Sequence, residues 1–296
     1  MKQKRLARAV SLALGAALTA GAGQALAHMD VYYNAFVGAS DSATDGWNYG
    51  GIGNPLKPTV SPGWYMTPGS NTKSAALPLG YSGAGWLNWA VEIHPHGSST
   101  ITGEVSKANA AATYDGAVVD LDTNKGSYHD FGNSFGTPQG WAHNTDIGLL
   151  KVHDQDMYVT LTITNDEANP SFSNFGITVF EGMDQNTGFV NHHDTWNCPT
   201  CTPAYPFTSS TPFGMSGLTY KAHTDVLNGQ FNTLTFLAEA DKVYSVFLGG
   251  AQAGSVFFPT NDYKLSISAT PVPLPAAGWL LGGALAALGL YRRKSA

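Results

Sequence analysis

From Met157 to Thr164 the chain alternates without a break. Met157, Val159, Leu161 and Ile163 are apolar, while Tyr158, Thr160, Thr162 and Thr164 carry hydroxyls. A period of two buries one face of a β-strand and leaves the other wet, whereas a helix needs a period near 3.6. The β-branched content favours the strand as well. Phe175, Ile177 and Val179 form the expected partner face. Thr233–Leu237 and Val243–Leu248 flank a short polar link and predict a hairpin. Tyr263–Ser268 predicts a closing strand, and Trp86–Ile93, Thr100–Val105 and Ala117–Leu121 give weaker strand signals. No long helical period occurs between Met29 and Thr270. The expected fold is all-β, an antiparallel β-sandwich.

Both ends fall outside that pattern. Lys2, Lys4, Arg5 and Arg8 precede an apolar stretch from Ala9 to Ala22, and Ala25-Leu26-Ala27 is an A-x-A cleavage site. Residues 1–27 therefore predict a signal peptide, with His28 as the mature N-terminus. At the other end, Val272-Pro273-Leu274-Pro275 leads into an apolar run and then Arg292-Arg293-Lys294. The run from Ala276 to Leu290 predicts a single transmembrane helix of roughly 22 Å. That is marginal against a hydrocarbon core of ~30 Å, with Trp279 and Tyr291 as interfacial anchors and the basic cluster held in the cytoplasm. Residues 28–270 are left as the β-sandwich ectodomain and 271–296 as the tail.

This tail resembles the PEP-CTERM sorting domain in its VPLPA variant, matching motif, helix and basic end in order. It departs from the parent motif at Leu274 and Ala276, where a glutamate-containing motif is usual. The resemblance implies that an exosortase recognises Val272, Pro273, Leu274 and Pro275 and cuts nearby. It further implies export through an inner-membrane-anchored intermediate to the cell surface or the extracellular space, in bacteria that make extracellular polysaccharide. Ala240–Val246 and Tyr263–Ile267 also resemble the last strands of pre-peptidase-type β-sandwiches. The Gly/Trp/Asn-rich first third resembles other exported PEP-CTERM proteins, which implies no particular activity.

Charge excludes one class of partner. Residues 28–275 hold eight lysines, no arginine and all 21 acids, so the mature domain carries −13 where the whole chain carries −6. Nucleic acid is excluded, because its binding needs Lys and Arg to displace counterions. Only 12% of the chain is charged, about half the usual share; Gly, Thr, Asn and Ser occupy the surface instead. Between Ser40 and Gly85, Trp47, Tyr49, Trp64, Tyr65 and Tyr81 are interspersed among Gly, Pro, Ser and Asn. They are expected as aromatic anchors under long loops, the alternative being an exposed carbohydrate-binding face.

Candidate chemistry lies in cysteine, histidine and aspartate. Cys198 and Cys201 are the only cysteines, and in an exported chain they predict a short local disulfide. His192-His193 just upstream would suit zinc or copper if those thiols stayed reduced. All nine histidines lie in the mature domain. An N-terminal His28 could chelate Cu(II) through its amine and ring, the histidine-brace arrangement of copper monooxygenases and some periplasmic carriers. His94-Pro95-His96 could add the second imidazole. Asp120-Leu-Asp122, Asp154-Gln-Asp156 and Asn144-Thr-Asp146 offer oxygen pairs for calcium, the alternative being solvated turns. No H-E-x-x-H helix motif or phosphate-binding glycine loop occurs. The expectation is a non-enzymatic surface or matrix protein with no required cofactor, processed by an exosortase and in contact with extracellular polysaccharide. The alternatives are a copper-binding protein using His28 and a carbohydrate-binding module.

Overall fold

Alternation at Met157–Asn165 translates directly into burial: Met157, Val159, Leu161 and Ile163 are fully enclosed, and the hydroxyl side faces outward. The computed structural model describes residues 27–35, 64–74, 76–81, 87–97, 99–128, 145–183, 216–226, 229, 231–251 and 260–273. The strands are β1 (His28–Asn34), β2 (Trp64–Tyr65), β3 (Lys73–Ser74), β4 (Trp89–His94), β5 (Ile101–Val105) and β6 (Asp122–Asn124). They continue as β7 (Asp146–Val152), β8 (Met157–Asn165), β9 (Phe175–Gly182), β10 (Leu218–His223), β11 (Thr233–Ala238), β12 (Val243–Gly250) and β13 (Thr260–Pro271). Among the described residues a short α-helix, α1 (Lys107–Thr113), starts at Ser106, whose hydroxyl accepts the Asn109 amide at 2.9 Å in an N-cap.

Two sheets form. One has the order β10-β9-β12-β7-β4-β1-β2-β3 and the other β11-β8-β13-β5, with β6 paired to the start of β13. Among the described residues every pairing is antiparallel except one, β4 with β7. The main core lies between the sheets and includes Trp89, Val91, Ile93, Leu150 and Val152 facing Val159, Leu161, Ile163, Leu265 and Ile267. A second apolar cluster covers the other face of the larger sheet, with Trp64, Tyr81, Leu87, Ala90, Tyr128, Ile147, Leu149 and Phe180.

Several expectations change. Phe175, Ile177 and Val179 pack in the same core as β8, but from the opposite sheet, on a strand bonded to β10 and β12. β11 and β12 are not a hairpin: β11 pairs with β8 and β12 with β7 and β9. The link between them crosses from one sheet to the other. Asp241 sits there at φ 61° with its amide on the Val152 carbonyl, and the Glu239 and Ala240 amides donate to Tyr244 Oη and Asp156 Oδ1. The polar link satisfies a crossover as well as it would a turn, which is why periodicity could not tell them apart. Ala117–Leu121 is not a strand; pairing starts one residue later, at β6. The last strand runs to Pro271, a residue into the expected tail. Trp64, Tyr65 and Tyr81 are all buried, so these three do not form an exposed carbohydrate platform. Among the described residues no helix is long and apolar enough to cross a membrane. Residues 1–26, Trp47, Tyr49, His192, His193, Cys198, Cys201 and 274–296 lie outside the described residues, and so do the expectations that rest on them.

Trp89 lies over Gly148, its register partner on β7, and a Cβ there would overlap the indole ring. Gly148→Ala should therefore destabilise the domain by about 1–3 kcal/mol through overpacking. A fall in Tm in thermal denaturation checks this; an unchanged Tm would show that the indole has room to move.

Candidate metal centre

Strand register builds a ladder of three imidazoles. β1 and β4 run antiparallel with His28 opposite His94 and Asp30 opposite Glu92. Residues two apart share a face, so all four side chains project from one side of the sheet. Met29, Val31, Val91 and Ile93 occupy the other side and pack on the core. β7 lies beside β4 in parallel, and the His153 amide just beyond its end donates to the Ile93 carbonyl at 2.9 Å.

The three rings stack in the order His28, His94, His153. Their centroids are 4.7 and 4.4 Å apart, and their planes are tilted by 13° and 7°. Neighbouring strands are ~4.8 Å apart, so strand spacing sets the ring spacing. Asp30 Oδ2 lies 3.4 Å from Nε2 of both His28 and His94. Glu92 Oε2 lies 2.7 Å from His153 Nε2. Asp241 Oδ1 lies 3.6 Å from His153 Nδ1 and 3.5 Å from Lys151 Nζ. One ligand atom from each of His28, Asp30 and His94 falls within 4.8 Å of the others, and the same holds for Glu92, His94 and His153. His94 belongs to both groups.

The central imidazole resists a proton. Burial lowers the His94 pKa from its ordinary 6.5, and repulsion from His153 and His28 adds to this, while Asp30 and Glu92 oppose it. A neutral imidazole keeps a nitrogen lone pair available to a cation. Tyr32, on the same face as Asp30, is held protonated by burial and by the charges of Glu92 and Asp30.

The geometry also shows what binding requires. An imidazole donates in its own plane, and these planes are nearly parallel. A cation in the plane of one ring would sit about a strand spacing off the plane of the next. Chelation by two rings therefore needs at least one to rotate. His28 is the ring with room, its side chain 47% exposed against 27% for His94 and 21% for His153. Asp30 already reaches His28 and His94 and would complete a mixed nitrogen and oxygen set.

Of the histidines proposed from sequence, the structure brings His28 and His94 together in direct register. His96 is half-buried and belongs to neither group. Asp30, Glu92 and His153 escaped sequence reasoning. The first two carried a usable signal, since each stands two residues from a histidine on the same strand. His153 carried none, because the parallel pairing that delivers it joins strands far apart in sequence. Of the calcium pairs, Asp154 and Asp156 shape the turn before β8, with Asp156 accepting the Ala240 amide.

No protein-family model matches the chain, and no curated protein matches it. A solved structure with some similarity is CorA, described as a surface-associated copper-binding protein important in Methylomicrobium album BG8 copper acquisition. It is 10% identical, the match covers 58% of this chain and 93% of that one, and the TM-score is 0.30. So low a TM-score leaves the likeness without bearing on ligand or function.

Histidine linkage has a definite sign here. The folded His94 pKa lies below the unfolded value of 6.5, so its contribution to stability is present above that pH and lost as pH falls through the folded pKa. In the metal-free protein the His94 ring should titrate below 6.5 by NMR. Thermal stability should decline on acidification, less steeply in His94→Gln. A His94 titration above the ordinary value would contradict a desolvated, repelled ring.

Proposed function

We propose that this protein is an exported metal-binding β-sandwich that holds Cu(II) on the His28, His94 and His153 ladder with Asp30 and Glu92. The observation that carries the reading is the register of His28 against His94, with His153 on the other side of the same ring. Imidazole with carboxylate suits divalent ions from nickel to zinc, and among these Cu(II) binds such a set most tightly. Cleavage after Ala27 would add the His28 amine and make the expected histidine brace. The proposed role is binding rather than catalysis, at the cell surface or in the extracellular matrix. The leader and the Val272–Pro275 tail would deliver it there, with an exosortase as the processing partner.

Titration of the metal-free protein with Cu(II), followed by calorimetry and electron paramagnetic resonance, tests this. One equivalent should bind with nitrogen hyperfine structure, more tightly than Zn(II). His94→Ala should weaken binding by at least about tenfold, since it removes the ligand shared by both groups. Affinity should also fall as pH drops through ~6.5, because the imidazoles must be neutral to ligate. One residue added before His28 should weaken binding further if the amine takes part. Copper binding that His94→Ala leaves unchanged would overturn the assignment.

A further inference from the structure

The outer face of the smaller sheet is a grid of hydroxyls. Register sets Thr233, Thr162, Ser266 and Glu104 side by side on β11, β8, β13 and β5. Thr235, Thr160, Ser268 and Thr102 form the next row, and Leu237, Tyr158 and Thr270 a third. Rows are ~7 Å apart along the strands, and columns ~4.8 Å apart across them. Thr160 and Thr235 share a hydrogen bond at 2.8 Å, and Thr162 and Thr233 share one at 3.3 Å. A hydroxyl has one donor and two acceptor sites, so such pairing leaves acceptors open to a ligand. Strand propensity accounts for the threonines, which are β-branched, and not for the two serines. Of the grid residues only Glu104 is charged.

The serines give the face its shape. β8 and β5 flank β13. The short side chains of Ser266 and Ser268 make a floor between Thr160 and Thr162 on one side and Thr102 and Glu104 on the other. The result is a groove of about 440 Å³, within the range of ~300–1,000 Å³ found for small-molecule sites. Asn109 of α1 also lines it. Two of its polar groups are held in place. Asn109 Oδ1 accepts from the Tyr33 hydroxyl at 2.7 Å, and Glu104 Oε1 accepts from Ser106 Oγ at 2.7 Å. The Asn109 amide nitrogen is left as a donor and Glu104 Oε2 as an acceptor. Tyr158 stands one row beyond Ser268, opposite Thr270, and is 45% exposed. It presents an apolar ring with a polar tip.

These features select among ligands. The backbone of β13 is engaged by β8 and β5, so an extended peptide finds no ladder to join in the groove. An anionic chain meets a carboxylate in a segment, residues 28–275, that carries −13. An apolar ligand would cover the hydroxyls without replacing their hydrogen bonds to water. A neutral sugar chain answers all three. Its hydroxyls both donate and accept, its linear form follows a groove, and its C–H faces stack on a phenol ring. We propose that the groove along β13 binds a neutral glycan chain. Thr160, Thr162, Ser266 and Asn109 supply the hydrogen bonds, and a sugar ring stacks on Tyr158. The groove lies across the core from the histidine ladder, on the other sheet, and stands independently of the metal reading.

Calorimetry of the full chain with neutral linear hexasaccharides (cellohexaose, laminarihexaose, mannohexaose and xylohexaose) and with an oligogalacturonate of the same length tests this. A neutral chain should bind and the acidic one should not. Tyr158→Ala should weaken that binding by about tenfold, through loss of the stacking ring. Ser266→Gln lengthens an exposed side chain on the groove floor and should abolish it. Both changes are at exposed positions, so Tm should stay close to that of the parent, and copper binding at the ladder should be unchanged. No binding of any neutral chain, equal binding of the acidic one, or neutral-chain binding that both variants keep would overturn the proposal. So would a dimer in sedimentation that Ser266→Gln separates, because a second copy would then cover the face.

Discussion

Parallel pairing of β4 with β7 places three things at once. It sets Trp89 over Gly148 in the core, His153 beside His94 on the outer face, and Asp146 beneath the Trp89 and Tyr263 pair. It also joins the strands that pair around β1 to those that pair around β12, so the eight-stranded sheet depends on it. Antiparallel neighbours can be linked by a two-residue turn, but a parallel pair needs a long connection, and over 50 residues separate these two. Such pairing rewards the chain only after a large loop closes, so the seam is stable once formed and costly to reach. Gly148 removes the one steric obstacle to it, since no Cβ stands between the indole and the strand.

Charge explains why ionisable groups are left facing one another across the sheets. Residues 28–275 carry −13, with acids to spare and few cations to match them. Lysines are spent locally: Lys107 on Asp262, Lys221 on Glu239, Lys242 on Glu181 and Lys151 on Asp241. What remains at the ladder is imidazole against carboxylate, and in the interior carboxylate against carboxylate. The first pairing tolerates neutrality because histidine titrates near neutral pH. The second tolerates it only by holding protons far above the ordinary carboxylate range.

The sequence made strand identity legible and sheet membership much less so. β8 and β13 could be read from period-two alternation, because each keeps one face in the core and one in water. β9 and β12 have apolar residues on both faces, since the larger sheet is covered twice, and alternation vanishes there. The Glu239–Lys242 link could serve a hairpin or a crossover equally well. For the site, His28 and His94 stood out as residues, but their facing each other is a matter of register, which no local pattern encodes. Asp122 and Asp146 were visible only as members of acidic pairs on separate segments. Both lie against β13, which pairs with β6 at Asp122 and supplies Tyr263 to Asp146.

Ring planes decide how the ladder can work. Stacking at strand spacing leaves the three ring planes nearly parallel, so their donor directions do not converge. Coordination by two rings would break at least one stack, and the most exposed of the three rings is His28, the first residue of β1. Rotation of that ring therefore disturbs the least packing. The ladder then gains its chelating geometry by moving one end residue, with the rest of the sandwich undisturbed.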